Sequence, residues 1–212
     1  SRALYLFPTK ALAQDQLRAL DELTNVLETS KQIVFDTYDG DTKREARTKL
    51  RRRGNIILTN PDMLHAGILP SHARWASFFQ GLRFVVLDEL HTYRGVFGSH
   101  FSHVLGRLRR IAAFHGAHPQ FLCATATIGN PREHAARLLG VAPSEVALVD
   151  RSGAPSAARE VYLYNPPIVN EELGVRGSAL KHAVALAKDL VRARVPTIVF
   201  GQSRNAVEVM LK

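Results

Sequence analysis

Two carboxylates stand side by side at Asp88 and Glu89, directly after the apolar run Phe84–Leu87, and a histidine follows at His91. A carboxylate at a strand tip can hold Mg²⁺, commonly through water, while the metal bridges nucleotide phosphates. A second carboxylate beside it can polarise an attacking water. Adjacent residues on a strand point to opposite faces, but where the backbone turns at the strand exit both can serve one site. His91 can then couple that site to a neighbouring loop. The spacing leaves other readings open. The pair can be an ordinary strand exit into a solvated loop. A metal-dependent hydrolase is a further alternative, with Asp88, His91, His100 and His103 as ligands. His100 and His103 share a helix face, although the sequence has no H-E-x-x-H arrangement.

Four more polar clusters follow apolar runs. They are "PTK" (Pro8, Thr9, Lys10), "YDGDT" (Tyr38–Thr42), "TNPDML" (Thr59–Leu64) and "TAT" (Thr125, Ala126, Thr127). Thr9 and Thr59 offer hydroxyl donors, Lys10 adds charge, and Gly40 permits close approach of backbone to a ligand. Free N–H groups at helix starts attract phosphate. The same residues suit helix capping: Thr9 and Thr59 are of N-cap type, and Pro61 sits well in a first turn. The basic runs "KLRRRGN" (Lys49–Asn55) and Arg107–Arg110 read as solvated helix ends rather than contacts.

The elements that must position these clusters alternate regularly. Strands are expected in "ALYLF", "QIVFDTY", "NIILT", "FVVLD", "QFLCATA" and "EVALVD". Helices are expected through "KALAQDQLRALDELTNVL", "DTKREARTKLRRR" (opened by the N-cap-type pair Asp41-Thr42), "SHFSHVLGRLRRIAAF" and "PREHAARLLG". The strands are almost wholly apolar, as in parallel sheets covered by helices on both faces. The expected fold class is α/β, a mostly parallel, doubly wound sheet. In such sheets ligands collect beyond the carboxyl ends of the strands, where all five clusters fall.

The alternation breaks near Asp150. "DRSGAPSAAR" reads as a linker, "EVYLYNPP" as a further strand and "NEELGVRG" as a loop. "SALKHAVALAKDLVRARV" reads as a helix and "TIVFGQS" as a strand. The expected organisation is residues 1–150 as one domain, 151–176 as linker and approach, and 177–212 as the start of a second domain. That tail is short for a domain of about 100 residues. With no Met at position 1, the expectation is a piece of a longer chain.

Composition narrows the class. The chain has 212 residues, 46% hydrophobic and 22% charged, which fits a globular protein. No apolar run approaches the roughly 20 residues that span a bilayer, and no signal peptide is visible. A single cysteine, Cys123, excludes an internal disulfide and a multi-cysteine zinc site within these residues, and fits a reducing, cytoplasmic compartment. The net charge of +9 favours polyanion partners, nucleic acid before membrane, against the plainer reading of a merely basic surface.

In this order, "PTKALAQDQ", "YDGDT", "ILTNPDMLH", "VVLDELHTYRGVFGSHFSHVLGRLRRI" and "TATIGNP" resemble the first motor domain of a superfamily 2 DExH-box helicase. The narrower likeness is to the YprA or mitomycin-repair-factor type, with RecQ4-like fungal relatives. The resemblance implies RecA-like lobes, ATP and Mg²⁺ as cofactors, translocation on single-stranded DNA in the 3′-to-5′ direction, a role in DNA repair, and a C-terminal zinc module outside these residues. It implies that Asp88 holds Mg²⁺ through water, Glu89 is the catalytic base, and His91 links the ATP site to Thr125–Thr127. That motif reads S-A-T in many relatives, so Thr125 keeps the hydroxyl. Pro8, Thr9, Lys10, Gly40, Asp41, Thr42, Thr59 and Asn60 are implied along the nucleic-acid backbone. Ser203 and Arg204, in "TIVFGQSRNAVE", are implied on the second lobe. The phosphate-binding pattern G-x-x-x-x-G-K-[ST] does not occur in the sequence; by family order it precedes Ser1, and the arginine finger follows Lys212. The chain is therefore expected to be inactive by itself, with the parent protein an ATP-dependent helicase. A non-catalytic nucleic-acid-binding module on the same fold remains the alternative.

Overall fold

The first strand shows how the apolar runs are used. In β1 (Arg2–Leu6), Leu4 and Leu6 face one side of the sheet, while Tyr5 and the following Phe7 face the other. Strand β3 (Ile56–Thr59) does the same, with Ile57 in the larger core and Ile56 and Leu58 opposite. The smaller face is closed by α1 (Lys10–Val26), through Ala13, Leu12, Leu17 and Leu20. The larger core lies against α2 (Arg44–Arg53), a helical stretch from Pro61 to Gln80, and α5 (Gly95–Phe114).

A computed structural model describes residues 1–26, 33–155 and 157–211. Strands β2 (Phe35–Thr37), β4 (Leu82–Leu87) and β5 (Gln120–Cys123) complete a five-stranded sheet in the order β2-β3-β1-β4-β5, and every pairing is parallel. The α/β expectation holds. Gln32 and Leu27, at the ends of two expected elements, lie outside the described residues. Helix α6 (Pro131–Leu139) opens on Pro131 and closes on Gly140 at φ 65°, a left-handed position that suits glycine.

The stretch between β3 and β4 is helical but uneven: α3 (Pro61–Met63), a π-helical turn (Leu64–Ile68), a 3₁₀ segment (Leu69–Trp75) and α4 (Ala76–Gln80). Pro70 cannot donate into a helical ladder, which suits the change of winding there. Leu64, Ile68, Leu69, Trp75, Phe78 and Phe79 are all buried from it. Trp75 meets Tyr38 edge-on at 4.8 Å between centroids and Phe78 at 5.7 Å.

Several local expectations fail for identifiable reasons. Helix α2 begins at Arg44, and Asp41-Thr42 is not its cap. The Thr42 hydroxyl instead donates to Thr37 O at 3.1 Å and accepts the Asp39 N–H at 2.8 Å, closing the preceding turn. "EVALVD" forms a 3₁₀ turn (Pro143–Glu145) and then irregular chain, with Val149 92% exposed. Neither "EVYLYNPP" nor "TIVFGQS" pairs with a strand among the described residues, and Leu163, Ile198 and Phe200 are exposed. An apolar run becomes a strand only where a neighbour supplies ladder partners.

The chain divides into two compact units, Ser1–Arg151 and Ser152–Lys212. The second holds an antiparallel pair, β6 (Ile168–Asn170) and β7 (Val175–Arg176), in a stretch expected to be loop. It also holds α7 (Ala179–Arg192), capped by the Ser178 hydroxyl, and α8 (Arg204–Leu211). No helix is long and apolar enough to cross a membrane among the described residues.

Candidate nucleotide site and nucleic-acid rim

The strands end level. Leu6 lies opposite Thr59 on one side and Leu87 on the other, Thr37 opposite Leu58, and Leu87 opposite Cys123. Backbone bonds join the tips: Phe7 N–H to Thr59 O (3.0 Å), Asp88 N–H to Leu6 O (3.0 Å) and Ala124 N–H to Leu87 O (2.9 Å). The five polar clusters therefore open on one rim. From β1 the chain proceeds to β2 and β3 on one side of it, whereas from β4 it proceeds to β5 on the other. Neighbouring β1 and β4 thus flank a topological switch point, where open α/β sheets bind ligands. Asp88 and Glu89 stand there.

The turn solves the problem of two adjacent carboxylates. Glu89 takes a left-handed backbone, φ 51° and ψ 47°. For a residue other than glycine this costs on the order of 1–3 kcal/mol and persists only when its surroundings enforce it. Here the Thr92 N–H and hydroxyl both donate to Glu89 O, at 2.9 and 2.8 Å. Leu90 donates to Ala124 O at 2.9 Å, and the Leu90 carbonyl lies 3.0 Å from His134 Nε2. The backbone reversal lets Asp88 and Glu89 serve one place.

His91 Nδ1 lies 3.3 Å from the Ala126 N–H and 3.2 Å from Glu89 Oε2. The two contacts demand different protonation of that nitrogen. Without a proton it accepts from Ala126; with one it donates to Glu89. The side chain thus touches both the acidic tip and the exposed Thr125-Ala126-Thr127 loop.

Along the rim, Thr9 is exposed and its hydroxyl accepts weakly from Leu12 N–H at 3.4 Å, at the start of α1. Pro8 is half-buried. Lys10 and Asp41 are paired to each other at 2.6 Å, both well exposed. The hydrogen bond from Lys10, then its charge, holds Asp41 below the usual carboxylate range, and the same bond holds Lys10 above its ordinary value. Gly40 is exposed with open space before it. Arg47 gathers the turn's carbonyls, donating to Thr42 O (2.8 Å) and Asp39 O (2.6 Å).

Two rim residues differ from expectation. Thr59 is 2% exposed and its hydroxyl donates to Tyr38 O at 2.6 Å, so it braces the neighbouring tip rather than facing solvent. The cap of the following helix is Asn60, whose Oδ1 accepts the Met63 N–H at 2.8 Å. Ser203 and Arg204 lie exposed in the second unit, where the Ser203 hydroxyl caps α8 by accepting from Ala206 N–H.

The metal-hydrolase ligand set is not assembled. Among the described residues no three His, Cys, Asp or Glu side chains come together. His100 and His103 instead line a groove with His65, Asp62, Phe97 and Arg107. Asp88 presents a different case. Among the described residues the ion pairs are Lys10–Asp41, Arg18–Asp15, His91–Glu89 and Arg192–Asp189, so no protein cation neutralises this half-buried carboxylate. A hard oxygen donor with no cation of its own, beside a second carboxylate, fits Mg²⁺ held through water.

Tyr93, Arg47 and His134 are given no role by the motifs. Tyr93 stands within "DELHTYRG", and an aromatic residue just after the turn was a signal that could have singled it out. Arg47 and His134 carried no local signal, since their partners are 5 to 44 residues away.

Residues 1–134 match the family described as DEAD/DEAH box helicase. The chain is 51% identical over 211 residues to the uncharacterized ATP-dependent helicase YprA of Bacillus subtilis, covering 100% of this chain and 28% of that protein. It is 39% identical over 214 residues to the ATP-dependent helicase HRQ1 of Saccharomyces cerevisiae, covering 100% of this chain and 20% of that protein. A crystal structure of the helicase MrfA bound to DNA and AMPPNP superposes with a TM-score of 0.91 at 51% identity, over all of this chain and 29% of that one. The chain thus spans less than a third of the length of these relatives.

Proposed function

Since the chain belongs to the DEAD/DEAH box helicase family, we propose that Ser1–Arg151 is the first RecA-like lobe of an ATP-dependent DNA helicase or translocase acting in DNA repair. Residues 151–176 lead into a second lobe that begins at 177–212. The observation that carries this reading is the acidic tip at the switch point, with His91 touching both Glu89 and the Ala126 N–H. Relatives named ATP-dependent helicases, and a relative bound to DNA and AMPPNP, support it.

When bound, Mg²⁺ bridges nucleotide phosphates and offsets charge developing during phosphoryl transfer. Asp88 holds that ion through water from the tip of β4. Glu89 accepts the proton of the attacking water at its carboxylate. As Glu89 gains and loses charge, His91 Nδ1 exchanges between Glu89 and the Ala126 N–H, which relates hydrolysis to the Thr125–Thr127 loop. Thr9, Lys10, Gly40 and Asn60 lie along the phosphates of single-stranded DNA, with Pro8 shaping the path, while Thr59 holds the Tyr38–Thr42 turn in place. Asp41 and Thr42 act differently from simple donors: Thr42 closes the turn and Asp41 holds Lys10. Ser203 and Arg204 contact DNA from the second lobe.

No G-x-x-x-x-G-K-[ST] run lies within these residues, so nothing here cradles the β- and γ-phosphates. The isolated chain is accordingly expected to bind single-stranded DNA without turning over ATP. The binding test is its salt dependence, whose logarithmic slope carries about 0.7 for each phosphate that the protein neutralises on a single strand. Lys10→Ala makes the slope shallower by about that amount. Asp41→Asn releases Lys10 and tightens binding with a slope at least as steep as wild type. If neither variant changes the slope, the rim is not the nucleic-acid path; DNA-stimulated turnover by the isolated chain sinks the claim of inactivity.

A further inference from the structure

Tyr93 is 1% exposed, and its hydroxyl has no hydrogen-bond partner among the described residues. Buried polar groups without partners are rare, and each costs about 1–3 kcal/mol. The ring itself is firmly held. Its centroid lies 4.4 Å from that of Phe101 and 5.7 Å from that of Phe97. Behind it the chain is tight: a Cβ added at Gly98 would collide with the Tyr93 carbonyl oxygen. Phenylalanine would keep all of this packing and avoid the orphaned hydroxyl. The hydroxyl therefore needs a reason outside packing.

The local geometry supplies one. Tyr93 ends the 3₁₀ turn (Leu90–Thr92) that reverses the chain after Asp88 and Glu89, and its N–H is tied to Leu90 O at 3.1 Å. Burial first, then the charges of Asp88 and of Glu89, push the Tyr93 hydroxyl far above its ordinary range. It stays protonated and so is a standing donor beside two acceptors.

We propose that Tyr93 is a positioning residue for the acidic tip: its buried hydroxyl donates to the Asp88 side of the site and sets the orientation of that carboxylate toward the metal. The inference rests on the function proposed above, and deepens it by assigning a residue that the DExH spacing leaves out. Tyr93 does not touch the reacting atoms. The hydroxyl is tolerated as a local instability because it is used when the site is loaded.

The test is Tyr93→Phe, measured in two ways. In the 212-residue chain without nucleotide, thermal unfolding should be unchanged or shifted upward, since the orphaned hydroxyl is gone. In the full-length protein, kcat should fall about three- to tenfold, the range for one lost hydrogen bond, and half-maximal turnover should require more Mg²⁺. A lowered melting temperature with an unchanged Mg²⁺ dependence would mean a purely structural tyrosine and overturn the proposal. So would wild-type behaviour in both measurements. Glu89→Gln serves as the reference. If it abolishes turnover while Tyr93→Phe leaves the Mg²⁺ dependence alone, only the Tyr93 inference fails. If Glu89→Gln turns over normally, the functional reading fails and takes this inference with it.

Discussion

Glu89→Gln in the full-length protein is expected to reduce DNA-stimulated ATP turnover by about 10²–10⁴-fold, the usual contribution of a positioned general base. The substitution keeps the shape of the side chain and removes its ability to take a proton. It also removes one of the two partners of His91 Nδ1, leaving the Ala126 N–H. The left-handed backbone at Glu89 is held by Thr92, whose bonds go to the Glu89 carbonyl and not to its side chain. The turn should therefore survive, and the variant should fold and bind single-stranded DNA as wild type does. Steady-state kinetics beside a DNA titration separate the outcomes. Loss of turnover with binding intact identifies a chemical role. Parallel loss of binding and turnover would mean that Glu89 shapes the rim.

Trp75→Ala is expected to have the largest effect on stability, destabilising the first unit by about 3–5 kcal/mol, as truncations of buried large aromatics do. Total stabilities are about 5–15 kcal/mol, so this is a large fraction. Trp75 is 1% exposed and meets both Tyr38 and Phe78 edge-on. Tyr38 lies directly after β2, and its carbonyl accepts the buried Thr59 hydroxyl at 2.6 Å. A void at Trp75 thus reaches the rim through a single aromatic neighbour. Trp75→Phe should recover part of the loss. Trp75 is the only tryptophan, so unfolding is best followed by circular dichroism in denaturant. A cost below about 1 kcal/mol would show that the core closes over the gap, against the close packing usual of interiors.

Much of this architecture was legible because its signals are local. The apolar runs of β1, β3 and β4 had few alternatives, and Pro131 and Gly140 bracket α6 as capping chemistry dictates. The positions of the clusters at strand ends followed from the parallel pattern, which pairing in the sheet bears out. What was missed depends on distant partners. The Thr42 hydroxyl is drawn back to Thr37 by the Asp39 turn, and Thr59 points at Tyr38, 21 residues away. The runs at Val146–Asp150 and Thr197–Phe200 have strand composition but no paired neighbour among the described residues. The helical stretch from Pro61 to Gln80 is irregular in winding, so no single periodicity exposed it. At the site, Asp88, Glu89 and His91 could be named from spacing. The left-handed turn that makes them converge, and the orphaned Tyr93 hydroxyl behind them, required the three-dimensional structure.

The central claim is that turnover at Asp88 and Glu89 answers to nucleic acid on the neighbouring strand tips. The most direct measurement is the rate of ATP hydrolysis by the full-length protein as single-stranded DNA is added. The account predicts a rise to saturation, with half-saturation moving to higher DNA concentration as salt increases. Turnover that is absent, or present but indifferent to DNA, would contradict it.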